Sequence, residues 1–200
     1  MKKLILCTLT ASVLLAPVTS YGHPPTEKEI SEWTIAAERG DAVAQCNIGK
    51  LYDNGEGVRQ DDTEALKWYR LSAEQGNADA QINLGVMYEK GIDLSHDYDE
   101  ALKWYMLAAA QGNAVAQFKI GSMYDHGHGV RKDYAEAARW YRKAAAQGNA
   151  DAQFNLGRKY DKGQGVRQNN RTAKEWYGKA CENGNQKGCD NYRKLNEQGY

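Results

Sequence analysis

The sequence predicts an all-α protein, built as a solenoid of antiparallel helix pairs, and three observations support this fold class. The chain repeats itself every 36 residues, and such a period is typical of two-helix solenoid units. Apolar residues within each repeat recur at helical spacing. Glycines and helix-capping residues divide every repeat at the same points. The residues in register are Ala44, Ala80, Ala116 and Ala152; Trp68, Trp104, Trp140 and Trp176; and Gly40, Gly76, Gly112, Gly148 and Gly184.

The repeats divide the chain into four full units between two capping helices. We expect an N-terminal capping helix in 23–43 and a C-terminal one in 188–200. Thr26 and Glu29 form a capping box that opens the first of them, and the last has the polar background that a terminal unit needs. The chain should therefore contain ten helices. The four repeats are placed at 44–79, 80–115, 116–151 and 152–187.

Residues 1–22 are expected to be an export signal rather than part of the fold. Lys2 and Lys3 precede a mostly apolar stretch from Leu4 to Ala16, and small residues ending at Gly22 fit a cleavage site. A retained membrane anchor is the alternative, but the stretch is shorter than the roughly 20 apolar residues that span a bilayer. We expect a periplasmic or secreted protein with no stable membrane insertion.

The first helix of each repeat is predicted from apolar spacing, as in Ala80, Leu84 and Tyr88 at i, i+4 and i+8. A glycine recurs inside this helix at a cost of about 1 kcal/mol relative to Ala, which implies a backbone contact too close for a side chain. The helix ends at a Gly-rich turn, where the second repeat must use Asp93 instead. The internal glycines are Gly49, Gly85, Gly121 and Gly157.

The second helix of each repeat begins at a good N-cap residue, and in three repeats a glutamate three positions later completes a predicted capping box. Small and aromatic side chains alternate on its buried face, which suits tight packing. The aromatic stripe is interpreted as core, with a ligand site as the alternative. The N-caps are Asp61, Asp97, Asp133 and Asn169, and the buried face of the first repeat comprises Ala65, Trp68, Tyr69, Ser72 and Ala73.

The overall charge is balanced. The full chain has 26 Lys and Arg and 26 Asp and Glu, and residues 23–200 have 24 against 26. This balance argues against a nucleic-acid-binding footprint and against a polybasic membrane patch.

The repeated residues resemble those of Sel1-like repeats, a branch of the tetratricopeptide superfamily. The motif is Ala-Gln-x-x-Leu/Ile-Gly-x-x-Tyr-x-x-Gly-x-Gly-Val, followed by Ala-x-x-Trp-Tyr-x-x-Ala-Ala-x-x-Gly-Asn, and it recurs from Ala44 to Lys187. The resemblance implies a right-handed superhelix of helix pairs that holds protein partners. Such proteins commonly act in bacterial secretion, signalling, envelope assembly or host interaction.

The Cys-x7-Cys spacing of Cys181 and Cys189 is similar to that of the disulfide-bearing secreted branch of this family, where such pairs bridge neighbouring helices. In an oxidising compartment the pair should be a disulfide, which would stabilise so short a loop by roughly 2.5 kcal/mol. Two unpaired thiols are the alternative, and metal binding is less favoured because no His lies near them in sequence. Cys46 is expected to be a small apolar residue, or an exposed thiol that could cross-link chains.

Resemblance to related repeats places partner binding on the concave face, which first-helix side chains line. A groove with apolar anchors and flanking cations could take an extended or helical peptide. The alternative is that the two phenylalanines pack against the adjacent unit. The expected face has an apolar row of Cys46, Ile82, Phe118 and Phe154 beside a second row of Lys50, Val86, Ser122 and Arg158.

Catalytic motifs are not evident. His126 and His128 could ligate a metal, but the equivalent turn residues vary among repeats, so we expect neither a metal nor a cofactor. No Ser-x-x-Lys, Gly-x-Ser-x-Gly or His-Glu-x-x-His sequence occurs. Some members of the cysteine-rich branch are associated with β-lactam binding or hydrolysis, which stays a distant alternative.

The sequence therefore favours a non-enzymatic, exported adaptor that binds another protein. One form of this hypothesis is a regulatory or assembly scaffold in the bacterial envelope. The other is a periplasmic immunity protein that neutralises a toxic effector, since some short exported members of the family do this. The partner would be a peptide segment or a cognate effector, and its identity does not follow from the sequence.

Overall fold

The computed structural model describes residues 24–92 and 96–200, and this part of the chain contains ten α-helices and no strand. Each helix packs mainly against its neighbours in sequence, so the predicted all-α solenoid of helix pairs is confirmed. The expected export signal in residues 1–22 and the turn residue Asp93 lie outside the described residues. The helices are α1 (Glu27–Glu38), α2 (Ala42–Asn54), α3 (Asp62–Glu74), α4 (Ala78–Lys90), α5 (Tyr98–Ala110), α6 (Ala114–His126), α7 (Tyr134–Ala146), α8 (Ala150–Lys162), α9 (Asn170–Glu182) and α10 (Gln186–Glu197).

The second helices α3, α5, α7 and α9 begin after the predicted N-caps, whose side chains accept backbone N–H groups of the first turn. The full capping box forms at α1, between Thr26 and Glu29. At α3, α5 and α7 the prediction of a full capping box was wrong, because the glutamate side chain does not accept the N–H group of the N-cap residue. The N-cap amide of Asp133, for example, donates to the carbonyl of Tyr124 at 2.9 Å. Glu136 instead lies 3.4 Å from Arg139.

The glycines inside the first helices make room for tyrosines of the second helices. A β-carbon at Gly121 would lie 2.7 Å from Cδ1 of Tyr141, and the other three repeats have the same arrangement. The expectation of a close backbone contact is therefore confirmed. The four tyrosines that fill this space, all fully buried, are Tyr69, Tyr105, Tyr141 and Tyr177.

The tryptophans contribute less to the core than the sequence suggested. Trp104 is buried, whereas Trp68, Trp140 and Trp176 are half-buried. Trp140 packs against a cluster drawn from α4, α5 and α6, and Trp176 against one drawn from α7 and α8. Each of these tryptophans therefore packs on a cluster that its own repeat shares with the preceding one.

Buried glutamines connect consecutive repeats, a role that the sequence analysis did not assign. Gln81 donates to the carbonyl of Ala73 in the preceding helix at 3.1 Å. Its own side-chain oxygen accepts from Gln111, which ends the following second helix, at 2.9 Å. Equivalent bonds to the side chains of Gln45, Gln117 and Gln153 occur in the other repeats.

None of the described helices is long and apolar enough to cross a bilayer.

Candidate partner-binding face

The first helices α2, α4, α6 and α8 lie side by side and form the surface that we call the first-helix face. Ion pairs join neighbouring members of this series. Lys50 of α2 lies 3.6 Å from Asp79 of α4, and Lys119 of α6 lies 3.0 Å from Glu89 of α4. Because these contacts recur between successive helices, side chains at the same repeat position form rows along the solenoid.

The apolar row on this face differs between its two ends. Cys46 is 2% exposed and Ile82 is 9% exposed, so both belong to the core. Phe118 and Phe154 occupy the same repeat position but are only half-buried. Their rings lean on Tyr141 and Tyr177 of their own repeats, with centroids 5.9 and 5.7 Å apart. Only the third and fourth repeats therefore offer aromatic surface at this position.

The second row is polar at both ends. The Lys50 side chain is largely covered and paired with Asp79, and Val86 packs against the core of the second repeat. Ser122 has its hydroxyl 3.4 Å from Nδ1 of His126. Arg158 donates to Asn155 at 3.2 Å and lies over the Phe154 ring at 5.9 Å. Of this row, Arg158 is the residue that stands beside both an aromatic ring and open surface.

An open groove of about 450 Å³ lies between α6, α8 and the turn that precedes α10. Phe118 and Phe154 provide its apolar part, and Arg158 and Lys187 provide positive charge. Asp151 lies at the same groove and accepts a hydrogen bond from Asn185 at 2.8 Å. The structure thus brings together Phe118, Phe154 and Arg158, three of the residues that we expected to contact a partner.

A tyrosine–carboxylate pair beneath the first-helix face recurs in every repeat, and the sequence analysis missed it. The clearest case is Tyr105, which donates to Glu89 at 2.6 Å. Burial would raise the pKa of the Glu89 carboxyl, but hydrogen bonds from Tyr105 and Lys119, with the charges of Lys119 and His128, bring the pKa below its usual value. The constant 16-residue separation was a visible signal. The pairs are Asp53 with Tyr69, Glu89 with Tyr105, Asp125 with Tyr141 and Asp161 with Tyr177.

Lys159 is a buried lysine at a position that other repeats fill with apolar residues. Its side chain is 3% exposed, pairs with Asp125, which is 8% exposed, and lies 3.3 Å from Gln164. The Tyr134 ring lies 4.2 Å from its ammonium nitrogen. Aligning the repeats would have revealed the exception, because Leu51, Met87 and Met123 occupy the same column.

The cysteines have two distinct roles. Cys181 and Cys189 form a disulfide that joins α9 to α10, with Cα atoms 4.5 Å apart. Cys46 is a free, buried thiol. Burial raises its pKa to about 11, with Lys50 lowering and Asp79 raising it, so little reactive thiolate forms at neutral pH.

His126 and His128 belong to a stack of rings rather than to a cluster of metal ligands. Their centroids are 5.5 Å apart, and the His128 ring stacks on Tyr98 at 5.0 Å. His96 continues the stack beyond Tyr98. Across the two described stretches of the chain, no group of three or more His, Cys, Asp or Glu side chains could hold a metal ion.

Comparison with known families gives a match over most of the chain. The family model described as Sel1 repeat matches residues 42–77, 78–113, 114–149 and 150–185. No curated protein matches the sequence.

Solved structures show the same architecture. A protective antigen with an SLR fold, present in uropathogenic Escherichia coli strains, is 36% identical with a TM-score of 0.81. The match covers 86% of this chain and 37% of the antigen. A Sel1 repeat protein from Oxalobacter formigenes is 38% identical with a TM-score of 0.77, covering 80% of this chain and 64% of that one. The present chain therefore spans less than two thirds of either protein.

A cysteine-rich structure shares the fold at lower identity. Helicobacter pylori cysteine rich protein B is 24% identical with a TM-score of 0.52, over 66% of this chain and 94% of that one. At this identity the likeness concerns the fold alone.

Proposed function

The chain belongs to the Sel1 repeat family, and from that premise we propose that it is an exported scaffold that binds another protein on its first-helix face. Repeats of this family are suited to protein–protein interaction. The observation that carries the proposal is the change along one repeat position, where Cys46 and Ile82 are core residues but Phe118 and Phe154 are half-exposed. A repeat with a purely structural role would not require this change from buried to half-exposed side chains.

The chemistry of this region fits a protein partner. Aromatic and arginine side chains contribute most of the binding energy in many interfaces, and Phe154 and Arg158 lie next to each other here. Phe118 extends the apolar surface into the neighbouring repeat. The regular packing beneath the face holds these side chains on rigid helices, which lowers the entropy lost on binding.

Export is supported by two independent features. Lys2, Lys3 and the apolar stretch from Leu4 to Ala16 have the form of a secretory signal. The Cys181–Cys189 disulfide suits an oxidising compartment. Fractionation of cells, with the mass of the recovered protein, tests this part. A full-length protein that stays in the cytoplasm with reduced cysteines would contradict it.

Site-directed photo-crosslinking tests the binding face. We expect a photoreactive residue at Ser122 to capture a partner in envelope extract, and one at Leu107, exposed on the second helix α5, to capture much less. The captured protein is then purified and its affinity measured directly. Capture that is equal at both positions would contradict the assignment of the face.

Substitutions provide the matched control. The double variant Phe118→Asp with Phe154→Asp should lose the partner, whereas Leu71→Asp with Leu107→Asp, on the second helices, should keep it. Because Phe118 and Phe154 are half-buried, Arg158→Glu is included as a variant that retains both phenylalanines. Full affinity in folded variants of both first-helix sets would refute the proposal.

The same measurements separate the forms of the hypothesis. An immunity protein binds one effector very tightly, whereas an envelope scaffold binds several partners more weakly.

Binding rather than catalysis is the proposed activity, and nitrocefin turnover by the purified protein would contradict that. Absence of turnover at high protein concentration would remove the β-lactam alternative.

A further inference from the structure

The balanced overall charge conceals a strong separation of charge along the solenoid. Residues 24–115 contain 17 Asp and Glu against 8 Lys and Arg, a net charge of −9. Residues 116–200 contain 16 Lys and Arg against 9 Asp and Glu, a net charge of +7. Because repeats stack in sequence order, the acidic and basic residues occupy opposite ends of the molecule.

The half-exposed phenylalanines lie in the basic end. Among the described residues, Arg158 has no carboxylate partner, since its guanidinium meets Asn155 and the Phe154 ring. Lys187, at the other side of the groove, likewise forms no ion pair with any described side chain. Lys50 and Lys119, by contrast, are both neutralised by acids of α4. Within the described part of the chain, the positive charges at the groove are therefore unpaired, whereas those of Lys50 and Lys119 are neutralised by ion pairs.

We propose that the groove formed by Phe118, Phe154, Arg158 and Lys187 binds an acidic polypeptide segment that carries an apolar side chain. This inference rests on the proposed binding function of the first-helix face. The apolar side chain would cover the phenylalanine rings, and carboxylates would meet Arg158 and Lys187. An arginine guanidinium binds a carboxylate through two parallel hydrogen bonds, and the net positive charge of this end attracts an acidic ligand from a distance.

A peptide fits the groove better than a nucleic acid. Asp151 lies at the groove beside the phenylalanines, where it would repel a continuous phosphate backbone. The adjacent acidic end would repel any long polyanion that continued along the face. A short segment with separated carboxylates can engage Arg158 and Lys187 and avoid both.

Fluorescence anisotropy tests this inference with the full chain and a short labelled peptide of Asp, Glu, Leu and Phe. A second peptide has Asn and Gln in place of every acid, and a single-stranded DNA oligonucleotide serves as a rival polyanion. We expect the acidic peptide to bind best, and its affinity to fall steeply as NaCl rises from about 0.05 M to about 0.5 M. Equal binding of the amide peptide, or tighter binding of the DNA, would overturn the inference.

A charge-matched pair of variants locates the binding. Arg158→Glu should lower the affinity for the acidic peptide by at least about tenfold. Lys143→Glu makes the same charge change in the basic half but lies on the second helix α7, so it should lower that affinity by less than about threefold. Equal losses of affinity would show that overall charge is responsible and would overturn the assignment of binding to the groove. Thermal midpoints of both variants verify folding, and Arg158→Gln should give an intermediate loss.

Two further outcomes separate this inference from the proposed function. Amide-peptide binding that is unchanged by Arg158→Glu but lost in Phe154→Asp would support a binding face and refute its preference for acids. Sedimentation of the protein alone checks for self-association, because the acidic end of a second copy could occupy the groove. Salt-sensitive association that Arg158→Glu abolishes would overturn the peptide as occupant.

Discussion

Lys159→Met is expected to destabilise the protein, although methionine is the residue that two other repeats use at this position. Lys159 and Asp125 are both nearly inaccessible to water, and from the described residues Asp125 otherwise accepts only a 3.4 Å hydrogen bond from Tyr141. Removing one partner of a buried pair costs about 3–5 kcal/mol, because the remaining charge has lost both water and its counterion. Methionine is close to lysine in volume, so little cavity energy is added.

The partner substitution shows whether the charge pair is the cause. Asp125→Asn alone should cost a similar amount, since it leaves the lysine buried without a counterion. The double variant removes both charges and should lie within about 1 kcal/mol of the original protein, which implies a coupling energy of at least about 5 kcal/mol. The single loss corresponds to a fall in Tm of roughly 6–20 °C.

Urea denaturation at neutral pH, followed by far-UV circular dichroism and tryptophan fluorescence, measures the four corners of this cycle. A second cycle on Glu100 and Lys103, an exposed pair at 3.1 Å, is the control and should give less than about 0.5 kcal/mol. A coupling at Lys159 as small as in the control would refute the reasoning, as would a Lys159→Met variant more stable than the original.

Three other predictions concern the core and the C-terminal helix. Burial, with the charge and hydrogen bonding of Asp125, raises the pKa of Tyr141, so the unfolded chain ionises first and stability falls as the pH rises above about 10. Tyr141→Phe should reduce that slope by about 1.4 kcal/mol per pH unit in urea titrations, and an unchanged slope would contradict the argument. Gly121→Ala should cost about 1–3 kcal/mol by displacing the tyrosine ring. Gly178→Ala, where only the exposed ring of a tyrosine lies nearby, should be neutral or stabilising by up to about 1 kcal/mol in denaturation, and equal effects would count against the close contact. Replacing Cys181 and Cys189 by Ser should cost roughly 2.5 kcal/mol and accelerate amide hydrogen exchange chiefly in α10, whereas uniform acceleration would argue against a local role.

The predictable part of the fold depended on short-range rules repeated several times. The N-caps at Asp61 and Asn169 were correct because a cap needs only its own side chain and the next turn. The tight contact at Gly121 was correct because a costly residue recurred in every repeat. The Cys181–Cys189 disulfide was expected from a family resemblance together with the expected oxidising compartment.

The capping glutamates show where short-range rules failed. Their pattern was complete in sequence, but the amide that Glu136 would have bound donates to the carbonyl of Tyr124 instead. That carbonyl belongs to the preceding helix, which the turn brings back toward the N-cap. The competition is decided by a contact with Tyr124, which lies outside the short capping pattern of Asp133 and Glu136.

For the candidate binding face, the sequence likewise predicted the rows of residues but not which of their side chains are exposed. Repeat alignment placed Phe118 and Phe154 in one row with Cys46 and Ile82, but it did not show which of them would be covered. Burial depends on side-chain size and on what the second helix of the same unit places opposite, and the phenylalanine rings lie against Tyr141 and Tyr177 with part of their surface still exposed. The burial of Lys159 depends likewise on Asp125 and Tyr134 from another repeat.

The sequence by itself determined the period, the N-caps of the repeat helices, the number of helices and the stacking order of the repeats, because these follow from caps, glycines and apolar spacing within a few residues. The tertiary structure alone decided which side chains of each row are accessible, which charges are neutralised, and how the phenylalanines, Arg158 and Lys187 meet at one groove. Those outcomes are set by neighbours about one repeat away in the chain, and packing rather than local preference brings them together.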